Sequence, residues 1–246
     1  HEMCIDRVET QKCDLTNEDE IEDCLKIYGP DIIIHCASLT HVDYCETHKE
    51  DTYHVNVAAT QNLVKRSKNS KFIYISSDSV YQGLKGDYKE SEVSDNQMNY
   101  YGATKFKGEK AVEQLSNALI LRTNIFGWNY QNKESIGEWI VNRVKADQEI
   151  NGFEDAFFSS IYTMELIRIL DICIQKDISG TYNCASSNSL SKYDFAVKLA
   201  KKFGFKESLV KPVSIEKFPF KAKRGKRLSL NSEKIQNKIN YQLPDM

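Results

Sequence analysis

A tyrosine and a lysine four residues apart, Tyr101 and Lys105, are the strongest candidates for chemistry in this chain. In a helix, this spacing places both side chains on one face, one turn apart. An ammonium group close to a phenol favours the phenolate and lowers the pKa of the tyrosine. Such a tyrosine can transfer a proton to or from an oxygen near neutral pH. The alternative is a surface tyrosine and lysine on an amphipathic helix.

A second pair with the same spacing, Tyr81 and Lys85, shows that the spacing alone is not specific in a chain with 13 tyrosines. Gly83 lies between them, so we expect a loop that does not hold the two side chains together. A Tyr81→Phe substitution should therefore be mild. The pair Tyr101 and Lys105 instead lies at the start of a predicted helix, which favours it.

The elements that must position these residues alternate between short apolar strands and helices. Alternation at this rhythm predicts βαβ units and an α/β fold with a doubly wound parallel sheet. The first strand reads as a continuous apolar run, typical of a strand buried on both faces. The predicted strands span residues 31–37, 71–76, 118–123 and 180–184, and the predicted helices begin near residue 17 and span 49–68, 98–116, 134–146 and 161–175, followed by a helix capped by Ser191 and a helical tail.

Polar residues follow three of the predicted strands, at 36–38, 76–78 and 123–124. In parallel sheets, ligands bind beyond the carboxyl ends of the strands. These three ends are therefore the predicted site. The basic stretch 221–227 is either a solvated loop or a phosphate site, with Arg224 as its candidate contact.

Composition narrows the class of protein. The net charge of −2 gives no indication of a nucleic-acid partner, and no apolar run approaches the roughly 18 residues of a membrane span. The seven cysteines form no CxxC pair, which favours reduced thiols and a cytoplasmic location. The five histidines show no HExxH pattern, and we expect no metal site.

Together these residues resemble the extended short-chain dehydrogenase/reductases, and among them the dTDP-4-dehydrorhamnose reductase group. Tyr101 follows Ser77 by 24 residues, the interval typical of that family. The resemblance rests on order and spacing over most of the chain, through the segments 14–15, 36–38, 76–78, 101–105, 122–123, 157–161, 180–183, 190–195 and 227–230, with Asn56 between the second and third.

The resemblance implies a Rossmann-type fold that binds NADP or NAD. Tyr101 would protonate the substrate carbonyl oxygen, Lys105 would lower its pKa and bind the nicotinamide ribose, and Ser77 would hold the carbonyl oxygen. Asp78 would lie near the substrate, and Asn56 would be largely structural. The implied cofactor contacts are Asp14 and Leu15 at the adenine, Cys36, Ala37, Ser38 and Ser76 along the cofactor, and Thr123 and Asn124 at the nicotinamide.

The implied activity is reduction of a 4-keto nucleotide sugar in deoxysugar or cell-surface polysaccharide biosynthesis. Ser79 stands where related dehydratases have Glu, which favours ketone reduction over elimination. An epimerase or dehydratase of the same superfamily remains open. So does a non-catalytic regulatory subunit on the same fold, as in methionine adenosyltransferase. By analogy with the family, we also expect a homodimer.

The chain departs from the family pattern in two ways. The glycine-rich GxxGxxG loop and the first βαβ unit are absent from this sequence, and we expect them upstream of it. Ser79 and Ile125 stand where dTDP-4-dehydrorhamnose reductases tend to have aromatic residues. We assign 1–125 with about 158–178 to the dinucleotide-binding domain, and 126–157 with 179–246 to a smaller, interwoven substrate-binding region.

Overall fold

The computed structural model describes residues 8–129 and 134–246; the first seven residues of the predicted dinucleotide-binding domain, Cys4 among them, lie outside the described residues. The strands in chain order are β1 (Ile32–His35), β2 (Lys71–Ser77), β3 (Leu119–Thr123), β4 (Ile125–Phe126), β5 (Ile150–Phe153), β6 (Phe157–Phe158), β7 (Ile161–Tyr162), β8 (Gly180–Asn183), β9 (Leu190–Ser191) and β10 (Val210–Val213). The α-helices are α1 (Glu18–Tyr28), α2 (Val42–Thr47), α3 (Lys49–Tyr53), α4 (Ala59–Arg66), α5 (Tyr100–Val112), α6 (Ile136–Lys145), α7 (Thr163–Gln175), α8 (Lys192–Lys202) and α9 (Glu233–Ile239).

The main sheet is parallel throughout and runs in the order β1-β2-β3-β8. Its two faces are covered by different helices. On one face, α1, α4 and α5 pack through apolar side chains such as Ile21, Leu63 and Val112. On the other, α7 and α9 pack through Ile169 and Ile235, among others. The predicted doubly wound α/β fold is thus confirmed.

The edge strand β1 differs from its prediction. Only one of its faces is buried: His35 is 3% exposed, whereas Ile32 is 37% and Ile34 is 46% exposed. The helices α7 and α9 pack on β2, β3 and β8, and their apolar cluster does not extend to β1. The predicted burial on both faces is therefore not observed among the described residues, because α7 and α9 do not cover this strand.

The smaller region has its own apolar cluster, in which α6 and α8 pack on the parallel pair β5–β10. Within the predicted substrate-binding range 179–246, β8 pairs with β3 of the main sheet and α9 packs on that sheet. These two elements belong to the main sheet because their apolar side chains complete its core.

A buried ion pair joins the elements of the main sheet. Arg122 on β3 binds Glu109 on α5 through Nε and Nη2, with an Nη2–Oε2 distance of 2.7 Å, and both side chains are almost fully buried. Ser76 on β2 donates a hydrogen bond to the same carboxylate. The pair thereby links β2, β3 and α5 at the carboxyl end of the sheet.

Tyr81 belongs to the same network, which corrects its predicted role. Its hydroxyl accepts a hydrogen bond from Arg122 and donates one to Asn183 at 2.8 Å, and its ring is 1% exposed. Lys85 instead pairs with Glu92. The segment is a loop, but its tyrosine is anchored because a buried hydroxyl must be hydrogen-bonded. A Tyr81→Phe substitution would remove both hydrogen bonds, so we expect it to lower the stability of the fold.

Two further features concern the described residues alone. No helix in 8–129 or 134–246 is both long and apolar enough to cross a bilayer. The six described cysteines are free thiols.

We predict that Arg122→Met lowers the free energy of unfolding by about 3–5 kcal/mol, because it leaves the Glu109 carboxylate buried without its counter-ion. Urea denaturation measures the change. Lys26→Met, which removes an exposed pair with Glu22, is the control and should cost less than about 1 kcal/mol. Equal effects of the two substitutions would contradict the prediction.

Candidate active site

The ends of β2 and β3 bring the predicted site residues together. The strands pair in register, so that Ser76 lies opposite Arg122 and Ser77 opposite Thr123. Ser77 then caps the short 3₁₀ turn Asp78–Val80. The carboxyl edge of the sheet therefore presents Ser77, Asp78 and Thr123 side by side.

Helix α5 places Tyr101 against this edge. Asn99 caps the helix by accepting a hydrogen bond from the backbone of Gly102 at 3.0 Å. Gly102 packs so closely on the preceding loop that a Cβ there would lie 2.0 Å from the carbonyl oxygen of Ser79. Only glycine allows this contact, and the contact brings Tyr101 to the end of β2.

Tyr101 is largely buried, and the Ser77 hydroxyl acts on its phenol as a hydrogen-bond partner. Burial raises the pKa of Tyr101 above its usual value, and the hydrogen bond with Ser77 only partly opposes this. The predicted lowering of the pKa by Lys105 is therefore wrong for this structure. The tyrosine is a protonated phenol at neutral pH.

Lys105 lies one turn along α5, as its spacing predicted, but its ammonium does not point at the phenol. It donates a hydrogen bond to the carbonyl oxygen of Ile75 at 2.8 Å and lies 4.1 Å from the centre of the Tyr74 ring. Burial lowers the pKa of Lys105 to about 8. An ammonium has three donors, so donors remain for a ligand beyond the one that Ile75 uses.

Asp78 is buried and firmly held. One carboxylate oxygen accepts hydrogen bonds from Ser77 at 3.0 Å and from Ser79, and the other accepts one from Asn124 at 2.7 Å. Burial raises the pKa of Asp78, whereas these hydrogen bonds and the charge of Lys192 lower it. Asp78 and Asn124 thus form one unit across the ends of β2 and β3.

The loop after β1 is tied to α5 by Asn56. This side chain lies in a π-helical turn, His54–Ala58, between α3 and α4. It accepts hydrogen bonds from Ser38 and from the backbone of Leu39, and it donates one to Thr104 on α5 at 3.1 Å. The predicted structural role of Asn56 has a physical basis in these contacts.

Several observations fit a nicotinamide cofactor at this edge. The buried hydroxyl of Thr123 has no hydrogen-bond partner among the described residues. Cys36 and Ala37 are exposed just beyond β1, and Lys105 has donors to spare. The described residues hold no cluster of metal-ligating side chains.

Two predicted cofactor contacts, Asp14 and Leu15, have their partners near α1 and not among the site residues described above. Asp14 accepts hydrogen bonds from the backbone and hydroxyl of Thr16, and its own backbone donates to Glu20, all within the turn that leads into α1. Leu15 packs against the apolar cluster below α1. Their role at the adenine remains a prediction.

Arg224 lies in the C-terminal segment and contacts the loop region after β1. It pairs with Asp43 at 3.0 Å and stacks on Phe220. Asn99, the cap of α5, donates a hydrogen bond to the carbonyl oxygen of Lys223 at 3.1 Å. The basic stretch is thus bound to the helix that carries Tyr101, and is not a free loop.

Lys192 was not among the predicted site residues; it begins α8, and its charge interacts with those of Asp78 and Arg224. A signal was present in the sequence: a lysine directly after the cap Ser191 opposes the helix dipole, so it is not explained by helix stability.

A cavity of about 620 Å³ opens beside the loop after β1 and is lined by Ser38, Leu39, Thr40, His41, Asp43, Tyr44, Thr47, His48 and Lys221. It reaches from Ser38, a predicted cofactor contact, to Asp43, the partner of Arg224. A ligand that extends from the end of β1 therefore has room beside the C-terminal segment.

Residues 2–246 match the family model of the RmlD substrate binding domain. The chain belongs to this family. The predicted resemblance to the dTDP-4-dehydrorhamnose reductase group is thereby confirmed.

Curated relatives fall in two functional groups. A dTDP-4-dehydrorhamnose reductase of Aggregatibacter actinomycetemcomitans is 28% identical over 248 residues, which are 94% of this chain and 83% of the relative. Methionine adenosyltransferase 2 subunit beta of Danio rerio is 26% identical over 235 residues, 92% of this chain and 72% of the relative. The family therefore includes both an enzyme and a subunit of another enzyme.

A solved structure shares the fold. The dTDP-4-dehydrorhamnose reductase of Bacillus anthracis, in complex with NADP, superposes with a TM-score of 0.86 at 29% identity, covering 95% of this chain and 83% of that one.

We predict that wild-type protein gains stability relative to Lys105→Met as the pH rises from about 8 to about 10.5. The folded-state pKa of Lys105 is about 8, whereas an unfolded lysine titrates near about 10.4. Between these values the unfolded chain binds more protons, so stability increases with pH. The contribution of this lysine is most unfavourable below about pH 8 and vanishes above the unfolded pKa.

Urea denaturation of both proteins at about pH 7 and about pH 10 measures the effect. Comparing the two proteins at each pH removes the contribution of the tyrosines and cysteines. If the stability of the wild type relative to Lys105→Met stays constant or falls as the pH rises, the folded-state pKa of Lys105 is not depressed.

Proposed function

We propose that this protein reduces the ketone of a 4-keto nucleotide sugar with NADPH or NADH. The observation that carries the proposal is the grouping of Ser77, Tyr101 and Lys105 at the carboxyl edge of a Rossmann-type sheet. Family membership supports an NAD(P)-dependent oxidoreductase, and the similarity to dTDP-4-dehydrorhamnose reductases supports a dTDP-linked substrate of deoxysugar biosynthesis.

The chemistry follows from the surroundings of the three side chains. A bound reduced nicotinamide supplies the hydride to the carbonyl carbon. Tyr101 gives its phenolic proton to the carbonyl oxygen, and Ser77 donates a hydrogen bond to the same oxygen. Because burial keeps Tyr101 protonated at neutral pH, the residue is ready to act as the acid.

We assign Lys105 to the cofactor, because its ammonium is held by the carbonyl oxygen of Ile75 and does not point at the phenol of Tyr101. With a pKa of about 8, Lys105 is still mostly charged at neutral pH. We assign its free donors to the nicotinamide ribose, and Thr123 and Asn124 to the nicotinamide side of the site.

A regulatory subunit is the second candidate function, and the similarity to methionine adenosyltransferase 2 subunit beta favours it. The two functions differ in a simple measurement. A reductase consumes NADPH in a one-to-one ratio with a dTDP-4-keto sugar. A regulatory subunit binds the cofactor without oxidising it and co-purifies with the enzyme that it regulates.

An epimerase or dehydratase of the same superfamily receives less support. The residue after Asp78 is Ser79, whose hydroxyl donates to the Asp78 carboxylate, so the second acid of the dehydratase triplet is lacking. Product analysis separates these activities from net reduction, since neither consumes the cofactor.

We predict that Tyr101→Phe lowers the turnover of keto-sugar reduction by at least about 10²-fold, because the carbonyl oxygen loses its proton donor. The measurement is NADPH oxidation at saturating substrate, with circular dichroism to confirm the fold. Tyr100→Phe is the matched control, since Tyr100 lies on the same turn and its hydroxyl makes no hydrogen bond to a described residue. Near-normal turnover of Tyr101→Phe would refute the assignment.

A further inference from the structure

The ammonium of Lys192 has no partner in the part of the chain that the structure describes. The backbone of Lys192 donates to the carbonyl oxygen of Ala156 at 2.9 Å, which fixes the start of α8 beside β6. The side chain is half-buried, yet residues 8–129 and 134–246 offer its ammonium neither a hydrogen bond nor a carboxylate within 4.0 Å. A partly desolvated cation without a counter-ion is unfavourable unless a ligand completes it.

The nearest opposite charge does not fill this role. Asp78 attracts Lys192, but both oxygens of its carboxylate are already engaged, by Ser77 and Ser79 on one side and by Asn124 on the other. The donors of Lys192 are therefore available to a ligand.

Arg224 adds a second positive charge near Lys192. Its charge acts on Lys192 and lowers the pKa of the lysine, as burial does. Its Nη2 pairs with Asp43, while its buried Nη1 has no hydrogen-bond partner among the described residues. Two cations thus converge near three carboxylates that already have other partners: Asp43, which accepts from the backbone of Ala222, Glu46, which accepts from the backbone of Tyr100, and Asp78, which accepts from Asn124.

Backbone contacts fix the C-terminal segment that carries Arg224. The backbone of Arg227 donates to the carbonyl oxygen of Gly83 at 2.9 Å, and the neighbouring Gly225 packs so closely on Gly83 that a Cβ would lie 2.8 Å from its Cα. The backbone of Phe157 donates to the carbonyl oxygen of Lys226 at 2.7 Å. The C-terminal segment is therefore held both to the loop after β2 and to β6, the strand beside Lys192.

We propose that Lys192, with Arg224 beside it, is a specificity-determining contact that binds the diphosphate of the nucleotide sugar. The proposal rests on the proposed function, since it names a further contact of the same substrate. A diphosphate presents several anionic oxygens, and lysine and arginine are the side chains that bind such oxygens with charge-assisted hydrogen bonds. Lys192 selects nucleotide-linked sugars over free sugars.

The test measures binding of dTDP to the full-length protein by isothermal titration calorimetry, without keto sugar or turnover. Lys192→Met removes the charge at similar length, and we expect the Kd for dTDP to rise about tenfold or more, the effect of losing one charge-assisted hydrogen bond. Lys192→Arg should restore binding to within about threefold, because it keeps the cation. Lys201→Met, an exposed lysine in the last turn of α8, should bind dTDP as the wild type does.

Thymidine, which lacks the phosphates, separates the charge contact from general damage. Its affinity should be the same in wild type and Lys192→Met. Equal Kd values for dTDP in these two proteins would overturn the inference, and so would a parallel loss of thymidine binding or a failure of Lys192→Arg to restore affinity.

The proposed function is decided separately, by NADPH consumption with a keto sugar. A wild type that reduces the sugar while Lys192→Met binds dTDP normally would retain the function and refute the contact. Absence of dTDP binding by the wild type would also refute the contact, whatever the reductase assay shows.

Discussion

The buried pair of Arg122 and Glu109 is the interaction on which the geometry of the site depends. A charge enclosed in the core must keep its counter-ion, so β3 and α5 cannot slide past each other without losing several kcal/mol, on the order of 3–5. Ser76 donates to the same carboxylate and adds β2 to the unit. Ser77 is the next residue on β2, and Lys105 lies one turn before Glu109 on α5. The positions of two predicted catalytic residues are therefore set by a pair that takes no part in the chemistry.

Tyr101 depends on a second set of contacts, which come from segments distant in the sequence. The backbone of Tyr100 donates to Glu46 on α2 at 2.9 Å, and the cap Asn99 donates to Lys223. The close packing of Gly102 on Ser79 adds the loop after β2. The start of α5 is thus held by a helix, a loop and the C-terminal segment at once. Because that segment also carries Arg224, the proton donor and the proposed substrate contact share one support.

Much of this arrangement could be predicted from sequence because its signals are local. The apolar runs marked the strands, and the predicted helix at Tyr101 and loop at Tyr81 are both present in the structure. The contacts that the sequence could not indicate are tertiary contacts between residues distant in the chain. Tyr81 is buried because Arg122 and Asn183, far along the chain, meet its hydroxyl. Ile34 is exposed because of where the covering helices end. Lys192 acts on Asp78, 114 positions earlier in the chain, and no spacing rule contains such an interaction.

The direction of the Tyr101 pKa shift shows most clearly why spacing is an incomplete guide to chemistry. Helical spacing fixes how far Lys105 lies along α5, but it does not fix where the ammonium points or how dry the phenol is. In the structure the ammonium binds the carbonyl oxygen of Ile75, and burial outweighs the hydrogen bond between Tyr101 and Ser77. For a reduction this is the useful outcome, since the acid must carry its proton before the hydride arrives. Lys105, whose pKa of about 8 leaves it mostly charged at neutral pH, keeps donors free for the ribose of the cofactor.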